Sequence, residues 1–304
     1  MTKKQTIYGN ENKDSIEVRS CRPADTESLT VFAMKTNFVR AHAQTFCSSR
    51  PAAIEAELRE AIDLGLAFVC FENDRISGFA TACLGHPAGN ADIVLLISPT
   101  LDRYVEIASS LFARLRETLP PTIRFTFFFP KENIRCAAFL DSIGALRRVN
   151  EYQLAIRREG FVPIDIKGVA PLHLEDGPAF VRLYHEIFPD IYLSAEEILK
   201  DIEGNHRVFV ARDESGLIAL SVLRLNGTGS ATAEVIGVRA DRRGRGQGRT
   251  VLAYLLMQAF SIYGAERVDL IVDLDNDAAI RLYTDLGFSV EREHVSYCLE
   301  GRDS

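Results

Sequence analysis

The stretch with the most evident chemistry is DRRGRGQGRTVL, Asp241 to Leu252. It holds four arginines and three glycines and then turns into an apolar helical pattern. Beyond Gly248, apolar residues fall at Val251, Leu252, Leu255, Leu256, Ala259 and Phe260. That spacing predicts a core-facing helix beginning near Gln247 or Gly248. The first N–H groups of a helix have no internal partner and carry partial positive charge. Glycine leaves the backbone bare, so an anion can approach closely. A strand, a glycine loop and a helix in this order make a diphosphate cradle. Spacing separates the kinds of cradle. Gly248-Arg249-Thr250 lacks the lysine of a P-loop, and the glycines run GxGxG rather than the GxGxxG of a dinucleotide fold.

What the loop does match is Arg-x-x-Gly-x-Gly, as Arg243, Gly246 and Gly248, after a strand ending in Val238. This resembles motif A of the Gcn5-related N-acetyltransferase (GNAT) superfamily. NDAAIRLYTDLGF, from Asn276, resembles that family's second motif, with Asn276, Ala279, Tyr283, Gly287 and Phe288 in place. The resemblance covers about Ala231 to Glu300. It implies acetyl-CoA as co-substrate, with its pyrophosphate on the loop formed by Arg243, Gly244, Arg245, Gly246, Gln247, Gly248 and Arg249. It implies that Asn276 and the backbone of Ile236, Gly237 and Val238 also serve the cofactor, the latter by strand-like hydrogen bonds to the pantetheine arm and acyl carbonyl.

The reaction implied is direct acetyl transfer from a thioester to the primary amine of a small molecule or peptide. The amine has to be neutral to attack, and the departing thiolate is better protonated. The resemblance assigns the general acid to Tyr283, whose phenol stays protonated at neutral pH; packing against Ala279 and Leu286 is its bland alternative. Glu234, four residues before Val238, is either a base or a solvated strand residue. A non-catalytic acyl-CoA sensor or scaffold is the alternative function, and a retained phenol argues against it. Between the first two helices of the second half, Phe188 and Tyr192 are candidate apolar wall for the acceptor. Glu186, Asp190, Glu196 and Glu197 are candidate partners for a cation.

Composition narrows the rest. With 304 residues the chain is expected to form two domains. A net charge of −7 does not suit a general nucleic-acid binder, whose affinity comes from neutralising phosphates. Six cysteines without a CxxC pair read as buried residues of a reducing, cytoplasmic compartment. No apolar run reaches membrane-spanning length. His185, His206 and His294 show no metal-ligand spacing, so no metal is expected.

The elements that position the motifs come twice. NIRCAAFLDSIGA from Asn133 echoes NDAAIRLYTDLGF at an offset of 143 residues. FVCFENDRISG from Phe68 echoes FVARDESGLIA from Phe209 at 141, and VRSCRPAD from Val18 echoes VAPLHLED from Val169 at 151. The order predicts a duplicated α/β (α+β) domain, in each copy hairpin strands followed by β-α-β-α-β, a mixed sheet with helices packed on it. The family resemblance makes that sheet mostly antiparallel and twisted. The expected division is a disordered tail at 1–15, a first domain at 16–158, a linker at 159–168 and a second domain at 169–300. No glycine occurs from Asn90 to Ile143, and Leu140 stands where the tyrosine would be. The first copy is therefore read as degenerate, without a cofactor loop, resembling the partner domain of tandem acetyltransferases. It is expected to shape the acceptor pocket, the chain being a monomer with an internal pseudo-dimer.

Overall fold

The computed structural model describes residues 16–85, 89–99, 102–189, 191, 193–227 and 229–301. The expected tail at 1–15, and Asp190 and Tyr192, lie outside them. The chain forms two compact units: residues up to 148 together with those from 296 onward, and residues 149–295.

The N-terminal unit contains β1 (Ile16–Ser20), α1 (Thr26–Asn37), α2 (Pro51–Asp63), β2 (Ala67–Glu72), β3 (Arg75–Gly85), β4 (Asn90–Ile97), α3 (Tyr104–Thr118), β5 (Arg124–Pro130), α4 (Ile134–Ser142) and β6 (Leu146–Arg147). Its sheet runs β1-β2-β3-β4-β5, antiparallel throughout except for the parallel pair β4–β5. Apolar runs such as Phe68–Cys70 are buried on both faces, because helices cover both sides of these strands.

The C-terminal unit contains β7 (Glu151–Arg157), β8 (Val169–Pro171), α5 (Gly177–Ile187), α6 (Ala195–Lys200), β9 (His206–Asp213), β10 (Gly216–Leu225), β11 (Ser230–Val238), α7 (Gln247–Ser261), β12 (Arg267–Asp273), α8 (Asp277–Asp285) and the first part of β13 (Ser289–Leu299). Its sheet runs β8-β9-β10-β11-β12-β7-β13. Only β11–β12 is parallel, so the sheet is mixed and mostly antiparallel. The α7 stripe at Val251, Leu252, Leu255, Leu256 and Ala259 is wholly buried. Each leucine so buried contributes roughly 1.5–3 kcal/mol. Ser194 caps α6 in a reciprocal box with Glu197, satisfying two orphan backbone donors. Asp176 occupies the N-cap position of α5 without a side-chain cap bond and pairs instead with Arg212 at 2.7 Å.

One strand lies elsewhere than the sequence boundary implied. β7 was expected in the first domain, yet it is an inner strand of the C-terminal unit. It runs antiparallel to β12 from Glu151↔Asp273 to Arg157↔Arg267, and to β13 from Ser289↔Ala155 to His294↔Glu151. Reciprocally, the last residues of β13 belong to the N-terminal unit, where Tyr297 and Cys298 pair with Arg147 and Leu146 of β6. Glycine, proline and charge mark where the chain leaves a regular element; they do not say which sheet that element joins.

Candidate active site

The site is built where β11 leads into α7. Gly244 and Gly246 have φ of +73° and +81°, and Gly246 is the α7 N-cap. Both are conformations that other L-residues adopt only with strain, so these two glycines are required by the turn itself. Gly248 is different. A Cβ there would lie 3.5 Å from Leu282 Cδ2 and Val238 Cγ2, an ordinary contact. Its bareness serves whatever approaches the helix N-terminus from outside.

The arginines divide by employment. Arg242 is a strut, its Nε donating to Asp213 Oδ2 at 2.8 Å. The Asp213 carboxyl is held well below its usual range, first by the Ser215 hydroxyl and then by Arg242. Arg239, which sequence reasoning missed, ties the loop to Asp241 at 2.7 Å and to Ser215 Oγ at 2.8 Å. Arg243, exposed, donates through Nε to the Val238 carbonyl at 3.1 Å. Arg249 reaches the Asp285 carbonyl at 3.4 Å. Arg245 is exposed and has no side-chain hydrogen-bond or ion-pair partner among the described residues. Part of the positive charge thus folds the loop and part stays exposed on it.

Beside the loop, β11 and β12 separate. They pair at only three rungs, Ser230↔Arg267 to Thr232↔Asp269, although β11 continues to Val238 and β12 to Asp273. From Ala233 onward β11 has no ladder partner on that side, so an extended chain can be hydrogen-bonded there. Ile236 and Val238 pack around Val251 of α7. Gly237 turns to the other face, where a Cβ would lie 2.7 Å from the Phe188 ring and 2.9 Å from Ile187 Cγ2. Phe188 is therefore a wall against the open strand. Glu197 is committed to its cap, and Glu196 lies 3.6 Å from His185. The glycine loop, the open strand and the helix dipole together fit a pyrophosphate followed by an extended arm, as acetyl-CoA has.

Tyr283 is 8% exposed in the core that includes Leu270, Val272 and Phe288. Burial pushes its phenol up to about 12. Among the described residues its hydroxyl has no hydrogen-bond partner, so a protonated donor is left available. Asn276 sits at the N-cap of α8, where its side chain accepts from Ala279 N–H at 3.1 Å.

Glu234 meets a fate that neither sequence reading foresaw. Val222 pairs with Val235 and Leu223 with Ala233, so Glu234 is the extra residue of a β-bulge. Its side chain is only 5% exposed, so the solvated reading does not hold. Oε2 meets His206 Nε2 at 2.9 Å, and Oε1 takes Arg224. His206 in turn meets Asp201 at 2.7 Å through Nδ1. The two carboxylates hold the imidazole above its usual range, the Glu234 hydrogen bond contributing most. His206 is 28 residues from Glu234 in sequence, and no local pattern announces that pairing.

The corresponding place in the N-terminal unit is filled by its own chain. β4 and β5 also separate, after Ile93↔Phe127. There the Thr45 N–H donates to the Phe128 carbonyl at 2.7 Å, and the Phe46 ring lies 5.7 Å from that of Phe128. Gln44, 1% exposed, reaches Cys136 Sγ. Where the glycine loop would be, Arg103 stands at the N-cap of α3 and bonds Glu72 and Glu106.

Among the described residues no group of three or more His, Cys, Asp and Glu side chains is arranged to hold a metal. No helix among them is long and apolar enough to cross a membrane.

A family model described as the acetyltransferase (GNAT) family matches residues 177–288. Mycothiol acetyltransferase of Corynebacterium aurimucosum is 43% identical over 60 residues, which is 20% of this chain and 19% of that protein. The matched stretch is thus about a fifth of that relative's length. A GCN5-related N-acetyltransferase from Sphaerobacter thermophilus superposes with a TM-score of 0.73 at 17% identity, covering 95% of this chain and 98% of that one. A tandem GNAT protein from the clavulanic acid biosynthesis pathway gives 0.66 at 17% identity, covering 95% and 100%. At these identities the structural likeness is one of fold.

Proposed function

We propose that this chain, which belongs to the GNAT superfamily, catalyses direct acetyl transfer from acetyl-CoA to a primary amine of a small molecule or peptide. The observation that carries the reading is the juxtaposition of two features: a glycine loop at the N-terminus of α7, and a parallel strand pair that opens after three rungs.

Bound there, acetyl-CoA supplies an activated acyl carbonyl. The residues then divide the work. The amides of the Gly246–Arg249 turn, with Arg243 and Arg245, hold the diphosphate. The free edge of β11 from Ala233 to Val238 aligns the arm and donates to the carbonyl oxygen as it gains charge. Tyr283 hydrogen-bonds the departing sulfur. Its phenol, at about 12, is a weaker acid than a thiol near 8.5. The phenol therefore stabilises the sulfur as a donor, and the proton that ends on sulfur originates at the attacking nitrogen. Glu234, with both oxygens occupied, fixes the bulge that turns Val235 and Gly237 toward Phe188. A binding-only role is the less economical reading, because binding alone needs no phenol near the sulfur.

The test is a panel of amines offered with acetyl-CoA, reading free thiol. Amine-dependent thiol release is expected. Tight acetyl-CoA binding with no release for any amine would sink transfer in favour of sensing.

A further inference from the structure

Transfer from an amine that arrives as an ammonium needs a proton acceptor, and Glu234 offers no free oxygen. The sheet limits where another can lie. On one face of β12 and β7, Val268, Leu270, Val272, Leu154 and Ile156 are sealed into the core with α7 and α8. An acceptor amine therefore reaches the open segment from the other face, which carries Asp269, Ile271 and Asp273 of β12 and Glu151, Gln153 and Ala155 of β7. Asp269 receives the Thr232 hydroxyl at 2.9 Å, and Glu291 of β13 pairs with Arg267. The Glu151 carboxylate has no hydrogen-bond or ion-pair partner among the described residues. It is only partly exposed and lies on the Asp273 rung, in the half of β12 that β11 has left. The N-terminal unit covers the same place with its own chain: Phe128 lies under Phe46, and Pro130 is buried. In the C-terminal unit the corresponding Ile271 is 41% exposed and Asp273 is exposed.

We infer that Glu151 is the general base of the transfer, taking a proton from the acceptor ammonium on the open face of β12. This rests on the acetyltransferase reading. The groups facing Glu151 are Asp273 across the β12 rung and His294 across the β13 rung, His294 being 2% exposed and 3.3 Å from Gln153. Burial, then the nearby Asp273 charge, raises the Glu151 carboxyl from its ordinary 4.5 to about 7, where a base works best at neutral pH. The protons balance. One leaves the ammonium to the Glu151 carboxylate and passes to solvent. As the C–N bond forms and the C–S bond breaks, a second leaves nitrogen and ends on sulfur beside Tyr283. The products are an N-acetyl amide, free thiol and one proton.

The experiment compares wild type and Glu151→Gln, as full chains, with acetyl-CoA and whichever panel amine is turned over. Turnover is expected to fall about 100-fold or more, with acetyl-CoA affinity by calorimetry unchanged. The rate inflection near pH 7 should vanish, and the deficit should shrink as pH rises toward the pKa of the amine. Wild-type turnover matched by the variant overturns this assignment alone, as does a raised KM at constant kcat. Absence of turnover in the wild type overturns the acetyltransferase reading and this assignment with it. Should Glu151→Gln fail to fold, Glu151→Asp carries the test. It keeps a carboxyl one methylene back, so kcat should fall while the pH inflection remains; an unchanged kcat overturns the assignment.

Discussion

Asn133 and Asn276 open their helices in almost the same way, with φ/ψ of −80°/65° and −87°/64°. Each accepts from the N–H three residues on, at 3.2 and 3.1 Å. Seven residues along, α4 has Leu140, fully buried, where α8 has Tyr283. Asn133 is itself fully buried, and its amide donates to the Ala43 carbonyl at 3.0 Å; Asn276 is exposed and makes no such bond. The two units thus keep one scaffold and differ in what fills the opening between the parallel strands. In the N-terminal unit the chain from Ala43 to Cys47 fills it. In the C-terminal unit it stays open, and a glycine loop replaces the ion-paired Arg103. What stands open in one unit is taken up by internal contacts in the other, and there the same cap is structural.

The largest effect expected is on the boundary between the copies. A fragment of residues 169–304 lacks β7, so β12 and β13 face an empty strand position. It should show no cooperative thermal transition by circular dichroism, whereas a fragment of residues 149–295 should show one. A cooperative transition in the shorter piece would break the view that β7 is integral to the C-terminal unit. Next comes the loop. Gly246→Val forces a β-branched residue to φ +81°, a strain of about 1–3 kcal/mol in the turn proposed to hold the diphosphate. Acetyl-CoA affinity by calorimetry should fall at least tenfold. Arg103→Gly in the other copy should create no second acetyl-CoA site; a stoichiometry of two would contradict the plugged reading.

Tyr283→Phe should slow turnover by roughly 10–100-fold with acetyl-CoA affinity nearly constant. Undiminished kcat in steady-state assays would return Tyr283 to a packing role. The smallest effect belongs to the caps. Asn276→Ala should cost about 1 kcal/mol of stability, a typical N-cap loss. Asn133→Ala should cost more, because it also leaves the buried Ala43 carbonyl without its donor. Equal melting-temperature shifts would mean that the buried cap is no more structural than the exposed one.

What was readable from sequence follows from which forces are local. The α7 stripe and the loop glycines are dictated within a turn or two, so spacing finds them. The repeated Asn-to-Gly pattern at an offset of 143 residues marks α4 and α8 as counterparts. Three features were hidden because they depend on distant partners. Glu234 is bonded to His206 and Arg224 across strands, and a one-residue bulge changes its neighbours without altering the alternation of buried residues. β7 has ordinary strand periodicity, and nothing in Glu151–Arg157 says which unit it enters. The chain from Ala43 to Cys47 looks like a connection, yet it fills a slot.

Residues 161–168 are largely exposed and lie outside any helix or strand, so a protease can reach them. A single scission there leaves a piece ending after β7 and a piece beginning before β8. Each compact unit would then be assembled from both pieces, since 151–157 lies within one sheet and 296–299 within the other. Gel bands from a denaturing lane would report two halves of a protein that still elutes whole, and fragment size alone would mislead about where its domains begin.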